Sequence, residues 1–458
     1  MKFTKIIAGL SSAVIAASMM AAIPSSALTT ENPPTGGSIP KSELIRVDHL
    51  FADSQLSPGS SDNPCFSTVW TAKVGNHITF DLSSAPQELR DEISLVWYTN
   101  NTFAPLGDWV TSTDLPSTYA IEVNDAPGGG DEPTSGWEDV TAVSGNVLAS
   151  RMHSFDFEGY NWIRLTVDET ASYNKTTKEM DYNYTDGTAK INIGLVHGGM
   201  TDSWLFIGDS ITAGGMGNNN GSSFSYYINK FSEGAYSPIQ INAGIGGLTS
   251  NHGKNNIKGW LKQFPGRYVS IAYGTNDCWG NPNNTKTYHD NLAYMIQAIH
   301  DAGKTVVLPK IPFSTNPDVA NNLPAYNAII DQLYEEYPYI IKGPDFYSIM
   351  KADPEGFFGS GDGVHPDSNG YQKMRKAWAE LMYTQVYHGT IINPGDINGD
   401  GKVNVKDAMI AIQMYFGKIK KPTDAQMKAA DLDGDGKVSN KEVLKIIAAA
   451  KGKITLDY

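Results

Sequence analysis

The sequence predicts a multidomain chain: an N-terminal all-β sandwich, a central three-layer α/β/α sandwich on a five-stranded parallel sheet, and a small C-terminal all-α module. Three observations predict it. From about Glu43 to His197, short runs rich in β-branched and aromatic residues are separated by turn clusters, without helical periodicity. From Asp202 to about His388, short and nearly continuous apolar runs alternate with amphipathic helical patterns. From Pro394 the chain repeats itself: "GDINGDGKVNVKDAMIAI" returns 35 residues later as "ADLDGDGKVSNKEVLKII".

At 458 residues the chain exceeds one ordinary domain. A net charge of −14 argues against nucleic acid and anionic membranes as partners. The first residues read as an export signal. Lys2 and Lys5 precede the apolar "IIAGLSSAVIAASMMAAI", and small residues at Ser25–Ala27 suit cleavage after Ala27. A membrane anchor is the alternative, but no basic stop-transfer cluster follows. Cys65 and Cys278 are the only cysteines. Export permits a disulfide between them, and two free buried thiols are equally compatible with the sequence.

"TTENPPTGGSIPKS" then reads as a linker. The sandwich strands are expected around "HITFDL", "EISLVWYT", "YAIEV", "NWIRLTV" and "AKINIGLV", with "NDAPGGGDEPTSG" as a turn region. In the central region the strands are "WLFIG", "IQINAG", "YVSIAYG", "TVVLPKI" and "YIIKGPDF". Helical patterns lie between them, and "SNGYQKMRKAWAELMYTQVY" closes the region. Helices on both faces of a parallel sheet place ligand chemistry beyond the carboxyl ends of the strands.

Four of those strand ends carry chemistry. Ser210 follows the first. Gly246 and Gly247 follow the second, where a backbone can approach a ligand closely. Asn276 follows the third, and Asp362 and His365 follow the fifth. The three-residue spacing of Asp362 and His365 lets the carboxylate accept the Nδ1 proton, leaving Nε2 to serve as base toward Ser210. The amides of Ser210 and Gly247 and the side chain of Asn276 are the expected donors to an oxyanion. Asp209 and Asp277 are expected to be structural, Asp277 as a turn residue. His289 is expected on a helix surface, and His153 as a hydrogen-bonded sandwich residue. Trp279 either lines an acyl pocket or packs.

The motifs "GDS", "GTND" and "DGVH", in this order, resemble the SGNH (or GDSL) hydrolase family over about Asp202 to His388. Its second block often reads Ser-Gly where this chain has Gly246-Gly247. The resemblance implies a three-layer α/β/α fold and an esterase, lipase or carbohydrate deacetylase, with Ser210, His365 and Asp362 catalytic.

In the repeat, Asp396, Asn398, Asp400 and Asp407 occupy positions 1, 3, 5 and 12 of a calcium loop. Asp431, Asp433, Asp435 and Glu442 do so in the second copy. Position 7 offers the carbonyls of Lys402 and Lys437. Hard oxygen ligands suit calcium, in a structural role, with no cofactor expected for catalysis. No entering helix is expected at either loop. In the following helices Ala408, Met409 and Ile412 match Val443, Leu444 and Ile447 and are expected to pack the repeats together. The duplicated loop-helix unit resembles a dockerin, which implies a cohesin partner on a scaffold. Val405 and Lys406, then Asn440 and Lys441, fill the often partner-selecting positions.

The expected divisions are a signal peptide (1–27), a linker (28–42), the β-sandwich accessory domain (43–198), the hydrolase domain (199–389) and the dockerin (394–456). Together the resemblances imply a secreted, cellulosome-attached carbohydrate esterase acting on xylan or a related plant cell-wall polysaccharide. A lipase or aryl esterase is one alternative. An inactive glycan-binding component is another. The sandwich either binds glycan, through Trp109 or Trp137, or packs beside the cleft.

Overall fold

The computed structural model describes residues 43–45, 49–57, 69–99, 115–146, 150–174, 176–177, 179–198, 203–216, 223–264, 266–389 and 391–456. The expected signal peptide and linker, Cys65 and Trp109 lie outside the described residues. Two compact units result. One runs to residue 382, and the other holds residues 383–458 together with 230–233. No helix among the described residues is long and apolar enough to cross a membrane.

The N-terminal strands alternate inward and outward residues, which makes two antiparallel sheets with a shared core. One sheet has the order Leu56–Ser57, Val69–Lys73, Thr188–Gly198, Glu92–Thr99, Ser150–Asp156, with Glu43–Ile45 also on Thr188–Gly198. The other has the order His49–Ala52, His77–Asp81, Trp162–Asn174, Pro116–Asn124, Glu138–Val143, with Glu179–Tyr184 also on Trp162–Asn174. Every second residue of these strands enters the core: Ile78 and Phe80; Ile93, Leu95 and Trp97; Tyr119, Ile121 and Val123; Ile163, Leu165 and Val167. The turn region after Asn124 lies back across the second sheet. There Asp81 accepts from Gly129 N at 2.6 Å, and Trp162 Nε1 donates to Ala126 O at 2.9 Å.

The central sheet comprises β1 (Ser203–Gly208), β2 (Ile239–Gly244), β3 (Tyr268–Ala272), β4 (Thr305–Leu308) and β5 (Ile341–Lys342). All are parallel, in the order β2-β1-β3-β4-β5. β1 is buried along its whole length, as an apolar run between two helical layers must be. On one face Trp204 and Phe206 meet Phe224 of α2 (Phe224–Phe231), and Phe206 meets Trp378 of α10 (Ser368–Gln385). On the other face lie α3 (Ser250–Gln263), α5 (Thr285–Asp301) and α7 (Leu323–Glu336). There Gly253 of α3 approaches Tyr273 and Met295 so closely that a Cβ would fall 2.5 Å from the Tyr273 ring.

β5 is shorter than its apolar run predicts. It pairs only with β4, and Gly343-Pro344 ends it, since proline offers no N–H to a ladder. Two short helices that the apolar pattern does not signal follow it, α8 (Phe346–Ala352) and α9 (Pro354–Phe358). Their starts are written in aspartates: Asp345 accepts from Ser348 N at 2.9 Å, and Asp353 from Gly356 N at 3.2 Å.

In the C-terminal unit α11 (Val405–Tyr415) and α13 (Asn440–Ala450) follow the two acidic loops. α12 (Asp424–Ala430) leads directly into the second loop, correcting the expectation that neither loop has an entering helix. It is a seven-residue helix held by the Thr423–Gln426 capping box, too brief to show periodicity. The core is Ile397, Ala408, Ala411, Ala429, Ala430, Val443 and Ile446. Ala408 and Val443 pack as expected. Met409 and Leu444 do not: they are 55% and 57% exposed, one step round each helix from the buried stripe.

Candidate active site

The nucleophile candidate sits where the strand order reverses, between β1 and its neighbours β2 and β3. β1 ends at Gly208, and α1 (Ser210–Gly215) begins two residues on, laid tightly over the sheet edge. A Cβ at Gly208 would fall 2.6 Å from Ala272 O, so glycine permits this close turn. Asp209 caps α1 by accepting from Ile211 N at 2.9 Å. It is buried, and burial pushes its carboxyl up to about 7, with Asp277 adding to the rise and the Ile211 amide opposing it. Its role is to shape the turn, as expected. Ser210, first in α1, has a backbone N–H with no acceptor inside the helix.

His365 completes the arrangement from the loop after α9. Its Nε2 lies 2.7 Å from Ser210 Oγ, and its Nδ1 lies 2.7 Å from Asp362 Oδ2. A carboxylate only accepts, so Nδ1 carries the proton and Nε2 faces the serine hydroxyl as acceptor. Asp362 also accepts from the backbone N–H groups of Val364, at 2.9 Å, and His365, at 2.7 Å. Burial works to raise its pKa, but the His365 ring bond, these amides and the imidazole's charge outweigh it. Together they hold the carboxyl down at about 2. The structure therefore brings together all three residues that the sequence nominates.

The donor candidates come from the neighbouring strand ends. Ile245 N bonds Gly208 O at 3.0 Å, which ties the second loop to the base of the nucleophile turn. Gly247 follows, exposed, at φ +75°. Asn276, on α4 (Thr275–Cys278), donates from Nδ2 to Leu248 O at 2.9 Å. This fixes the amide plane, and among the described residues its second N–H meets no other protein acceptor.

Asp277 is more than the expected turn residue. Its carboxylate accepts from Ser250 N at 3.1 and 3.0 Å and from the Ser250 hydroxyl, anchoring α3. Burial raises its pKa against the pull of those bonds. Cys278 is a buried free thiol, raised to about 12 by burial and by Asp277.

The fourth strand end, passed over in the sequence, holds the acid–base loop in place. Ser314 Oγ donates to Gly363 O at 2.7 Å, and Thr315 N bonds the same carbonyl at 2.9 Å. Gly363 sits at φ +73° between Asp362 and His365. The rule that chemistry gathers past strand ends, applied to "PKIPFSTN", would have found this support.

Other singled-out residues fall elsewhere. His153 Nε2 lies 2.7 Å from Tyr119 Oη, in the sandwich. His289 bridges α5 to α7 through Glu336 at 2.9 Å. Trp137 is half-buried under the Arg164 guanidinium, 4.2 Å from the ring centroid, and so is not an open plate. Arg151 of the sandwich donates to Gln263 of α3 at 3.1 Å, a direct bond between the sandwich and the α/β region.

In the C-terminal loops two carboxylate sets converge, Asp396 with Asp400 and Asp407, and Asp431 with Asp433 and Asp435. In each set the oxygens come within 4.8 Å of one another. Asp407 is fully buried. Among the described residues none of these six forms an ion pair with Lys, Arg or His. Clustered unpaired carboxylates fit a hard cation. Asn398 lies within the first loop. Glu442 closes the second, with its carboxylate accepting from Ser439 N at 2.6 Å. The loop backbone also carries Lys402 and Lys437 at the carbonyl position.

Residues 206–373 match the GDSL-like Lipase/Acylhydrolase family, and residues 394–449 match the Dockerin type I domain. A multidomain esterase from Ruminococcus flavefaciens is 26% identical over 238 residues, 46% of this chain. The chain spans 30% of that protein's length. Among solved structures, a lipase/acylhydrolase from Enterococcus faecalis is 21% identical, with a TM-score of 0.35, covering 40% of this chain and 95% of that one. Axe2, an acetylxylan esterase from Geobacillus stearothermophilus, is 23% identical, with a TM-score of 0.33 and the same coverage.

Proposed function

We propose, for a chain that carries a GDSL-like lipase/acylhydrolase domain and a type I dockerin domain, a secreted cellulosomal carbohydrate esterase. Its substrate is an acetylated plant cell-wall polysaccharide, with xylan first. The observation that carries the catalytic part is the continuous chain Ser210 Oγ, His365 Nε2, His365 Nδ1, Asp362 Oδ2, with 2.7 Å at both links.

In this reading His365 takes the Ser210 proton as Oγ attacks the ester carbonyl. The N–H groups of Ser210 and Gly247 and the free N–H of Asn276 hold the oxyanion. Losing one such donor costs roughly 3–4 kcal/mol of barrier. His365 then protonates the departing sugar alkoxide, leaving an acetyl-serine that water hydrolyses by the same proton path. Asp362, ionised well below neutral pH, keeps the imidazole in the competent tautomer. The position of Gly247 and Asn276 at the neighbouring strand ends supports the oxyanion roles.

The dockerin supports attachment to a cohesin-bearing scaffold and, with it, an extracellular site of action. Calcium in the two acidic loops would stabilise the module and takes no part in ester cleavage. Residues 396, 398, 400, 402 and 407 would hold one ion, and 431, 433, 435, 437 and 442 the other. The bond from Arg151 to Gln263 favours the sandwich as a packing partner of the hydrolase domain over an independent glycan binder.

Acetate release from acetylated xylan by the purified chain, abolished in Ser210→Ala, tests this reading. Release from long-chain or aryl esters alone would assign the domain to a lipase or aryl esterase. Glycan binding without any hydrolysis would leave a binding component.

A further inference from the structure

Among the described residues, Trp279 stands out from six deeply buried tryptophans and the half-buried Trp137. Trp70, Trp97, Trp162, Trp204, Trp260 and Trp378 are each at most 3% exposed, whereas Trp279 is 41% exposed. Among the described residues no ring stacks on it and its Nε1–H donates to no protein acceptor. Mobile surface loops commonly carry such a side chain, but this backbone is pinned on both sides. Asn322 Nδ2 donates to Cys278 O at 2.8 Å, and Gly280 N bonds Asp318 O at 2.9 Å. Tyr326 Oη bonds Asp277 O at 3.1 Å and Asn281 O at 2.8 Å. A rigid backbone thus presents a large apolar plate with an unspent donor to solvent.

Its position gives that plate a use. Trp279 lies three residues beyond Asn276, on the same strand end. The segment from Ser314 to Asn322 grips the Trp279 loop through Asp318 and Asn322, and the acid–base loop through Ser314 and Thr315. The Trp279 loop and the Asp362–His365 turn are therefore held by one and the same segment. The pyranose ring that bears an acetyl group has an apolar face of axial C–H groups and a girdle of hydroxyls, the complement of an aromatic face with one N–H at its edge.

We propose that Trp279 is a specificity-determining residue: a stacking platform for a pyranose ring of the acylated saccharide, with its Nε1–H available to a sugar hydroxyl. This rests on the carbohydrate-esterase reading above.

The test compares full-length wild type, Trp279→Ala and Trp279→Phe on acetylated xylo-oligosaccharides and on 4-nitrophenyl acetate. The expected result is a KM for the oligosaccharide raised about tenfold in Trp279→Ala, with kcat changed little, and largely restored in Trp279→Phe. Kinetics on 4-nitrophenyl acetate, which has no sugar ring, should stay within about twofold. An unchanged oligosaccharide KM, or equal losses on both substrates, would overturn the platform. A wild type that cleaves 4-nitrophenyl acetate and no acetylated glycan would overturn the carbohydrate reading itself and the platform with it.

Discussion

Ser314 donates its hydroxyl to the carbonyl of Gly363 across 2.7 Å, and Gly363 lies inside the Asp362-to-His365 turn. A buried serine that touches no reacting atom thus helps set where the proposed base stands. In Ser314→Ala the carbonyl keeps only the Thr315 amide. Losing a buried hydrogen bond of this kind costs about 1 kcal/mol. The expected outcome is kcat on 4-nitrophenyl acetate lowered about three- to tenfold with little change in KM, since ground-state binding is not involved. A change confined to KM would count against this positioning role.

Removing the proposed nucleophile or base should have a far larger effect. Ser210→Ala and His365→Ala are each expected to lower kcat by roughly 10⁴-fold or more, and the double variant to lose little beyond either single change. Thermal melting by circular dichroism should remain close to wild type, because Ser210 is not a core residue.

Asp362→Asn keeps the size of the side chain and removes the charge. It also offers Nδ1 an amide donor, which favours the wrong imidazole tautomer. The expected kcat is lower by roughly 10²–10⁴-fold, with the deficit persisting at every pH where the fold holds. The pH dependence of stability has a definite sign here. The Asp362 carboxyl is at about 2 in the fold, below the usual carboxylate value of about 3.9. Its stabilising contribution is therefore fully present above about pH 4 and fades as pH falls toward 2. Acid melting curves of wild type and Asp362→Asn should converge across that window.

Asp209 works in the opposite direction. Burial holds its carboxyl at about 7, so the folded state binds more protons than the unfolded chain between about pH 4 and 7. Its contribution to stability falls as pH rises through that range and levels off above it. Asp209→Asn, which keeps a capping oxygen for Ile211 N, should flatten the melting temperature between pH 5 and 8. An undiminished slope would remove Asp209 as its source.

Calcium titration of the metal-stripped protein should show two binding events, each lost separately in Asp396→Ala and Asp431→Ala. Chelator should melt the C-terminal helices while activity on 4-nitrophenyl acetate persists, because the Ser210, His365 and Asp362 group uses no metal ligand.

The architecture and much of the site were legible because both rest on local pattern. β1 is an uninterrupted apolar run, and the sandwich strands alternate with period two, so layer and face follow directly. Ser210 and Asn276 fall just past a strand, and parallel topology gathers them on one edge; Asp362 and His365 come 20 or more residues after β5, beyond α8 and α9, and reach Ser210 through that longer excursion. What was missed depends on tertiary partners. Asp277 looks like a turn residue until α3 delivers Ser250 to it. Met409 and Leu444 match the repeat's apolar pattern, yet Ala411 and Ile446 take the interior, since only the stripe facing the other helices of the unit is buried. The helix from Asp424 to Ala430 is seven residues long, below the length at which a periodic signal emerges.

The Ser314-to-Asn322 clasp has a consequence for divergence among relatives. A chain that changes substrate by reshaping residues 277–281 must also accommodate Asp318 and Asn322, and any shift there is relayed to the turn that orients the imidazole. Substitutions in the two segments should therefore co-vary across homologous sequences. Exchanging one segment alone into a foreign background should impair turnover even where every nominated catalytic side chain has been kept.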